Sequence, residues 1–173
     1  KKQVTSGNYA VTDFYGYDDK TGSYFYASTQ EGVTRRAIYK TDVKGKVVKI
    51  SSKPGTNSAV FSKSMKYFMN VYSNISTPPV TTLCDQSGRT LKTLIDNKEL
   101  VDKLAGLILG QREFFSFRTS NGTELNGYMV RPADFKPSNR YPVILFQYSG
   151  PGSQQVLDSW NAGNMGGCLY EQY

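Results

Sequence analysis

The chain has 173 residues, 38% hydrophobic and 20% charged, a balance that suits a globular protein and excludes a disordered one. It contains no His and only two Cys, Cys84 and Cys168, so neither a zinc site, which takes about four ligands, nor a disulfide framework can be built from them; a buried, unpaired thiol is the expectation for each. The net charge of +7 is scattered through turns, at Lys20, Lys44, Lys46, Lys53, Lys63, Lys92 and Lys136, and forms no stripe, which argues against a nucleic-acid partner.

Thirteen Tyr, nine Phe and one Trp, with many Val and Thr, favour strands over helices. The longest apolar run, Val143-Ile144-Leu145-Phe146, is far too short to span a bilayer. No signal-peptide pattern opens the chain, and Lys1-Lys2 reads as a cut inside a longer protein.

From the N-terminus, strands are predicted over Ala10–Tyr15, Ser23–Ser28, Ala37–Thr41 and Val47–Ser51, then over Ser58–Phe61, Tyr67–Tyr72, Val80–Leu83 and Thr90–Ile95. Turn chemistry separates them at Asp18-Asp19-Lys20-Thr21-Gly22, at Lys53-Pro54-Gly55 and from Asn74 to Pro79. The two sets carry a self-match: Asp42-Val43-Lys44-Gly45-Lys46 and Asp85-Gln86-Ser87-Gly88-Arg89 share the pattern Asp-x-x-Gly followed by a basic residue. Asp and Gly at that spacing suit a hairpin turn, because Gly takes positive φ without strain. The turns lie 43 residues apart, the spacing of four-stranded propeller blades, with a small β-sandwich as the alternative. Two blades cannot close a ring, so the chain reads as part of a larger one.

From Asn97 the pattern changes. Lys98 to Ala105 places apolar residues at helical spacing with Gly106 as a stop, and a short linking helix is predicted. A hairpin follows, Glu113–Arg118 and Glu124–Arg131 about a turn at Asn121-Gly122. Pro132 and Pro137 frame a loop, and a third strand is predicted over Val143–Tyr148, its apolar run suggesting burial on both faces in the middle of a mixed sheet. After it comes a loop of small residues, Ser149 to Ser153, and a helix is expected to begin around Gly166 or Cys168.

A hairpin, a buried strand and a Gly-rich loop leading to a helix match the opening of the α/β-hydrolase fold. The stretch from Asn121 to Trp160 resembles the start of the catalytic domain in the prolyl oligopeptidase family of serine peptidases. The residues concerned are Asn121-Gly122, Gly127, Pro132, Phe135, Tyr141-Pro142 and Tyr148-Ser149-Gly150-Pro151. Pro151, Gln154 and Trp160 point to its dipeptidyl peptidase IV branch; Ser149 stands where that family usually has Gly or Ala. The resemblance implies a mainly β chain: the last two blades of a β-propeller (1–97), a linking helix (98–110), then the first strands, hairpin plus central strand, of an incomplete α/β-hydrolase domain (111–173).

Acyl transfer from a peptide bond builds negative charge on the carbonyl oxygen, and a donor already in place stabilises it most. By position alone a Tyr at a strand end is a packing residue with its hydroxyl at the rim. The resemblance makes Tyr148 an oxyanion-hole donor acting beside a backbone N–H next to the nucleophile. Without His the chain has no complete Ser-His-Asp set, so the nucleophile, acid and base are expected beyond Tyr173, and this stretch alone is expected to be inactive. Ser149 and Ser153 have no base to activate them and read as loop residues. Glu31 and Glu99 read as solvated surface charge, and Asn74-Ile75-Ser76 and Asn121-Gly122-Thr123 as chance matches to the glycosylation pattern. Trp160 is expected to pack rather than line a site.

The function implied is release of X-Pro or X-Ala dipeptides from peptide amino termini, with no cofactor and no metal. The substrate partner would be a peptide with penultimate Pro or Ala; no nucleic acid and no membrane span are expected in this segment. The resemblance also suggests a periplasmic, cell-surface or secreted setting and a homodimer. Two alternatives stay open: another peptidase of the same family, of the acylaminoacyl or oligopeptidase type, and a non-catalytic binding module that keeps the fold.

Overall fold

The computed structural model describes residues 3–148, 150 and 152–160. Eight strands fall into two four-stranded antiparallel sheets, each a meander in chain order. The first sheet holds β1 (Val11–Asp18), β2 (Ser23–Ser28), β3 (Ala37–Asp42) and β4 (Val47–Lys49). The second holds β5 (Thr56–Phe61), β6 (Tyr67–Asn74), β7 (Thr77–Asp85) and β8 (Thr90–Ile95). No described strand crosses from one sheet to the other, which is the pattern of propeller blades and not the Greek-key crossing of a sandwich.

Both repeated turns fold alike. Asp42 Oδ1 accepts the N–H groups of Lys44 at 2.9 Å and Lys46 at 3.0 Å, and Asp85 Oδ1 accepts those of Ser87 at 2.9 Å and Arg89 at 3.2 Å. The Ser87 hydroxyl and the Ser87 and Arg89 N–H groups hold the Asp85 carboxyl down at about 2, against an ordinary value of 3.8. Bonds from Lys46 and Lys44 lower Asp42 likewise. A depressed folded pKa adds stability above the unfolded value and loses it as pH falls through the folded one. Thermal melts from pH 5 to pH 2 are therefore expected to show stability falling from about pH 4 downward, with a shallower fall in Asp85→Ala.

The turn glycines differ in what surrounds them. Gly45 (φ 85°) has nothing near the position of a Cβ, whereas a Cβ on Gly88 (φ 91°) would lie 2.8 Å from the carbonyl carbon of Ile50 and closer still to its oxygen. Gly45→Ala is expected to cost about 1–2 kcal/mol, the strain of a left-handed residue. Gly88→Ala is expected to cost about 1–3 kcal/mol more, because Ile50 must also give way. Urea midpoints of the two variants measure the difference.

The sheets are joined by a parallel bridge between Arg36, just ahead of β3, and Thr56, the first residue of β5: Arg36 N–H donates to the Gly55 carbonyl at 3.0 Å and Asn57 N–H to that of Arg36 at 2.9 Å. The main core lies between them, built from Phe25 and Ile38 of the first sheet, Ile50 just past it, Met65, and Phe68 and Cys84 of the second. Tyr26, Ala37 and Tyr39 form a smaller cluster on the first sheet, where burial pushes both phenols up to about 12. Cys84 is buried and free, as expected; Cys168 lies outside the described residues.

Two prolines expected in a turn stand inside β7. Pro78 and Pro79 are tolerated because β8 pairs with β7 only from Thr81 onward, and the β6 ladder shifts register between Tyr72 and Asn74. Helix α1 (Lys98–Leu104) matches the linking helix, but its apolar residues find no cover: Leu100 and Val101 are exposed. The hairpin forms from β9 (Arg112–Arg118) and β10 (Glu124–Val130) in unbroken register, a two-stranded sheet of its own.

The third strand expected over Val143–Tyr148 is not formed. Its residues have no strand assignment, and Val143 is 86%, Ile144 92% and Leu145 88% exposed. A central strand exists through its ladders to neighbours, and among the described residues no strand lies beside this run. The helix expected near Gly166 or Cys168 lies outside the described residues.

Candidate functional site

Tyr148 stands at the end of this unpaired run, 58% exposed rather than packed in a sheet. Its ring lies over the backbone that follows: a Cβ on Gly150 would come within 3.1 Å of the phenol oxygen and 3.3 Å of the ring carbon bearing it. A side chain at position 150 would make the ring shift by a few tenths of an ångström. The Ser153 N–H then donates to the Gly150 carbonyl at 3.0 Å, closing a tight turn at Gly152 (φ 75°). Of the other loop residues singled out, Ser149 and Pro151 lie outside the described residues. The Ser153 hydroxyl accepts from the Gln155 amide at 3.1 Å, and no base stands against it.

Beyond the turn the chain returns to the blades. Gln154 donates from Nε2 to the Val33 carbonyl at 2.7 Å and accepts from the Arg36 guanidinium. Asp158, 7% exposed, is held from four directions. Its N–H donates to the Thr34 carbonyl at 2.8 Å, and its own carbonyl accepts from the Thr56 hydroxyl at 2.9 Å. Its carboxylate accepts from Ile75 N–H at 3.1 Å and from Arg35 Nε at 3.3 Å. Trp160 is half-buried, its N–H directed at the Ser73 hydroxyl at 3.4 Å and its carbonyl accepting from Arg112 of β9 at 3.1 Å.

Asp158 went unassigned in the sequence. Its side-chain partners lie at least 83 residues earlier, so no local spacing signals it. Glu31 also differs from expectation: it is partly buried and pairs with Lys49 across the first sheet, so it is no free surface charge. Glu99 is exposed. The Asn74 amide donates to the Tyr72 hydroxyl at 2.9 Å and its oxygen accepts from Ser76, so that side chain is engaged within its own turn.

Among the described residues no three His, Cys, Asp or Glu are grouped to hold a metal ion, and no helix is long and apolar enough to cross a membrane. Two open grooves, one along β8 and α1 from Thr93 to Lys103 and one between Leu109 and Phe135, are not lined by Tyr148. What the arrangement offers chemically is one phenolic donor, presented at a turn whose far side is fastened to both sheets.

Residues 1–79 match the family model for the dipeptidyl peptidase IV N-terminal region. The chain is 29% identical to dipeptidyl peptidase 4 of Arthroderma otae over 164 residues, 92% of this chain and 21% of that protein. It is likewise 29% identical to dipeptidyl peptidase 4 of Trichophyton rubrum over 163 residues, again 92% of this chain and 21% of that one. Among solved structures, the crystal structure of Porphyromonas gingivalis dipeptidyl peptidase 4 superposes with a TM-score of 0.88 at 43% identity, covering 92% of this chain and 23% of that one. The chain thus spans about a fifth of the length of these relatives. With two blade-like sheets in sequence, a family-model match over the first sheet and most of the second, and relatives aligned along nearly the whole chain, it is similar to a stretch of a dipeptidyl peptidase IV-type protein.

Proposed function

We propose that this chain is a stretch of a serine exopeptidase that releases X-Pro or X-Ala dipeptides from peptide amino termini, and that Tyr148 is one of its oxyanion-hole donors. Residues 1–97 supply two propeller blades, 98–110 the link, and 111–173 the opening of the α/β-hydrolase domain. The exposed run from Val143 then takes its place as a central strand once neighbours from the rest of that domain lie beside it. A periplasmic or cell-surface setting and a paired enzyme belong to the same reading.

The observation that carries the proposal is the state of Tyr148. Its ring lies close to Gly150 while more than half of the residue stays exposed. A tyrosine packed inside a sheet would not be so exposed. The names of the relatives supply the reaction class. With no His in the sequence, the base that activates the nucleophile comes from elsewhere in the enzyme.

The complete protein is expected to be labelled at one serine by a fluorophosphonate and to release dipeptide from an X-Pro amide, while residues 1–173 alone do neither. Labelling without dipeptide release would move the protein to an acylaminoacyl or oligopeptidase type. Absence of both would leave a binding module.

A further inference from the structure

We infer that Asp158 is a positioning residue for the oxyanion donor: it fastens the loop that follows Tyr148 to both sheets and so fixes where the phenol stands. The inference rests on the oxyanion reading of Tyr148 given above.

A carboxylate is costly to remove from water unless hydrogen bonds replace the lost hydration. Asp158 is 7% exposed, and its replacement partners come from both blades: Thr34 and Arg35 lead into β3, Thr56 opens β5, and Ile75 sits in the turn between β6 and β7. The exposed Arg35 (43%) contributes little through charge alone. The part-buried N–H of Ile75 is the main bond the carboxylate itself makes, and it adds to two bonds that the Asp158 backbone makes whatever its side chain.

Asp158 follows Tyr148 by ten residues, and Gln154, the second tether, follows it by six. A span this short, with a tight turn at Gly152, leaves the ring little independent travel once its far end is fastened. Release of the tether lets the turn at Gly152 open and the ring swing. Misplacement of a reacting group by about 1 Å costs up to ~10²-fold in rate. A residue with no contact to substrate thereby affects kcat and leaves substrate binding nearly untouched.

The test is a double-mutant cycle in the complete enzyme, read as kcat and KM on an X-Pro amide. Asp158→Ala is expected to lower kcat by about 10–10²-fold with KM changed less than about threefold. In the Tyr148→Phe background the same change is expected to cost less than about threefold, because the group it positions is already gone. Should Asp158→Ala not fold, Thr56→Val takes its place: it removes the donor to the Asp158 carbonyl from the blade side, and an expected loss of about 2–10-fold in kcat follows. An unaltered kcat, or a loss that multiplies in full with Tyr148→Phe, overturns the positioning role while leaving the donor role intact. If Tyr148→Phe by itself leaves kcat unchanged, both roles fall.

Discussion

Tyr148→Phe in the complete enzyme is expected to lower kcat by about 10²–10³-fold, the usual effect of removing one oxyanion-hole donor. The reason is timing. In the ground state the substrate carbonyl is a modest acceptor, so the phenol adds little to binding; in the tetrahedral transition state the same oxygen carries most of a charge. KM should therefore change little and kcat/KM should fall in step with kcat. Stability should change by no more than about 0.5 kcal/mol, since the ring is kept and stands mostly exposed. Steady-state kinetics on an X-Pro amide with a parallel thermal melt reads all three quantities. A kcat that survives intact removes the hydroxyl from the mechanism; a loss accompanied by a falling melting temperature would mean the ring was holding structure instead.

The second large effect is on folding. Phe25→Ala is expected to destabilise the chain by about 3–5 kcal/mol. Phe25 is fully buried between the sheets, its ring centroid 4.8 Å from that of Phe61, which in turn stacks at 4.8 Å on Phe68. Truncation removes one side of that row and leaves a cavity that two sheets bridged by backbone hydrogen bonds cannot collapse to fill. Phe117→Ala on the outlying hairpin, where the ring is 48% exposed, supplies the comparison: about 1 kcal/mol or less, the range of strand preference alone. Denaturant titration with unchanged m-values would confirm that both numbers report stability. Equal losses at the two positions would mean the core does not lie between the blades.

The blades were legible because their determinants are local. Strands β2 and β8 coincide with the predicted spans to the residue, and the Asp-x-x-Gly pattern contains within five residues every group that closes its turn. Where prediction and structure part, the deciding partner is distant or lies outside the described residues. Pro78 and Pro79 look like turn residues until β8 is seen to pair only beyond them. Val143 to Phe146 has the composition of a central strand, but composition cannot supply the flanking ladders a strand requires. Tyr148 was legible through its motif and Asp158 was not. The first sits in a run of unusual residues, whereas the second is an ordinary acid made special by residues 83 and 123 positions before it.

Gly88 has one more implication. Two turns of one pattern meet different surroundings: a Cβ on Gly45 would stand in open space, whereas one on Gly88 would press on Ile50. Positive φ favours glycine at both positions, and at Gly88 the neighbouring backbone demands it as well. A turn moved from the first position into the second would therefore seat only if it kept its glycine.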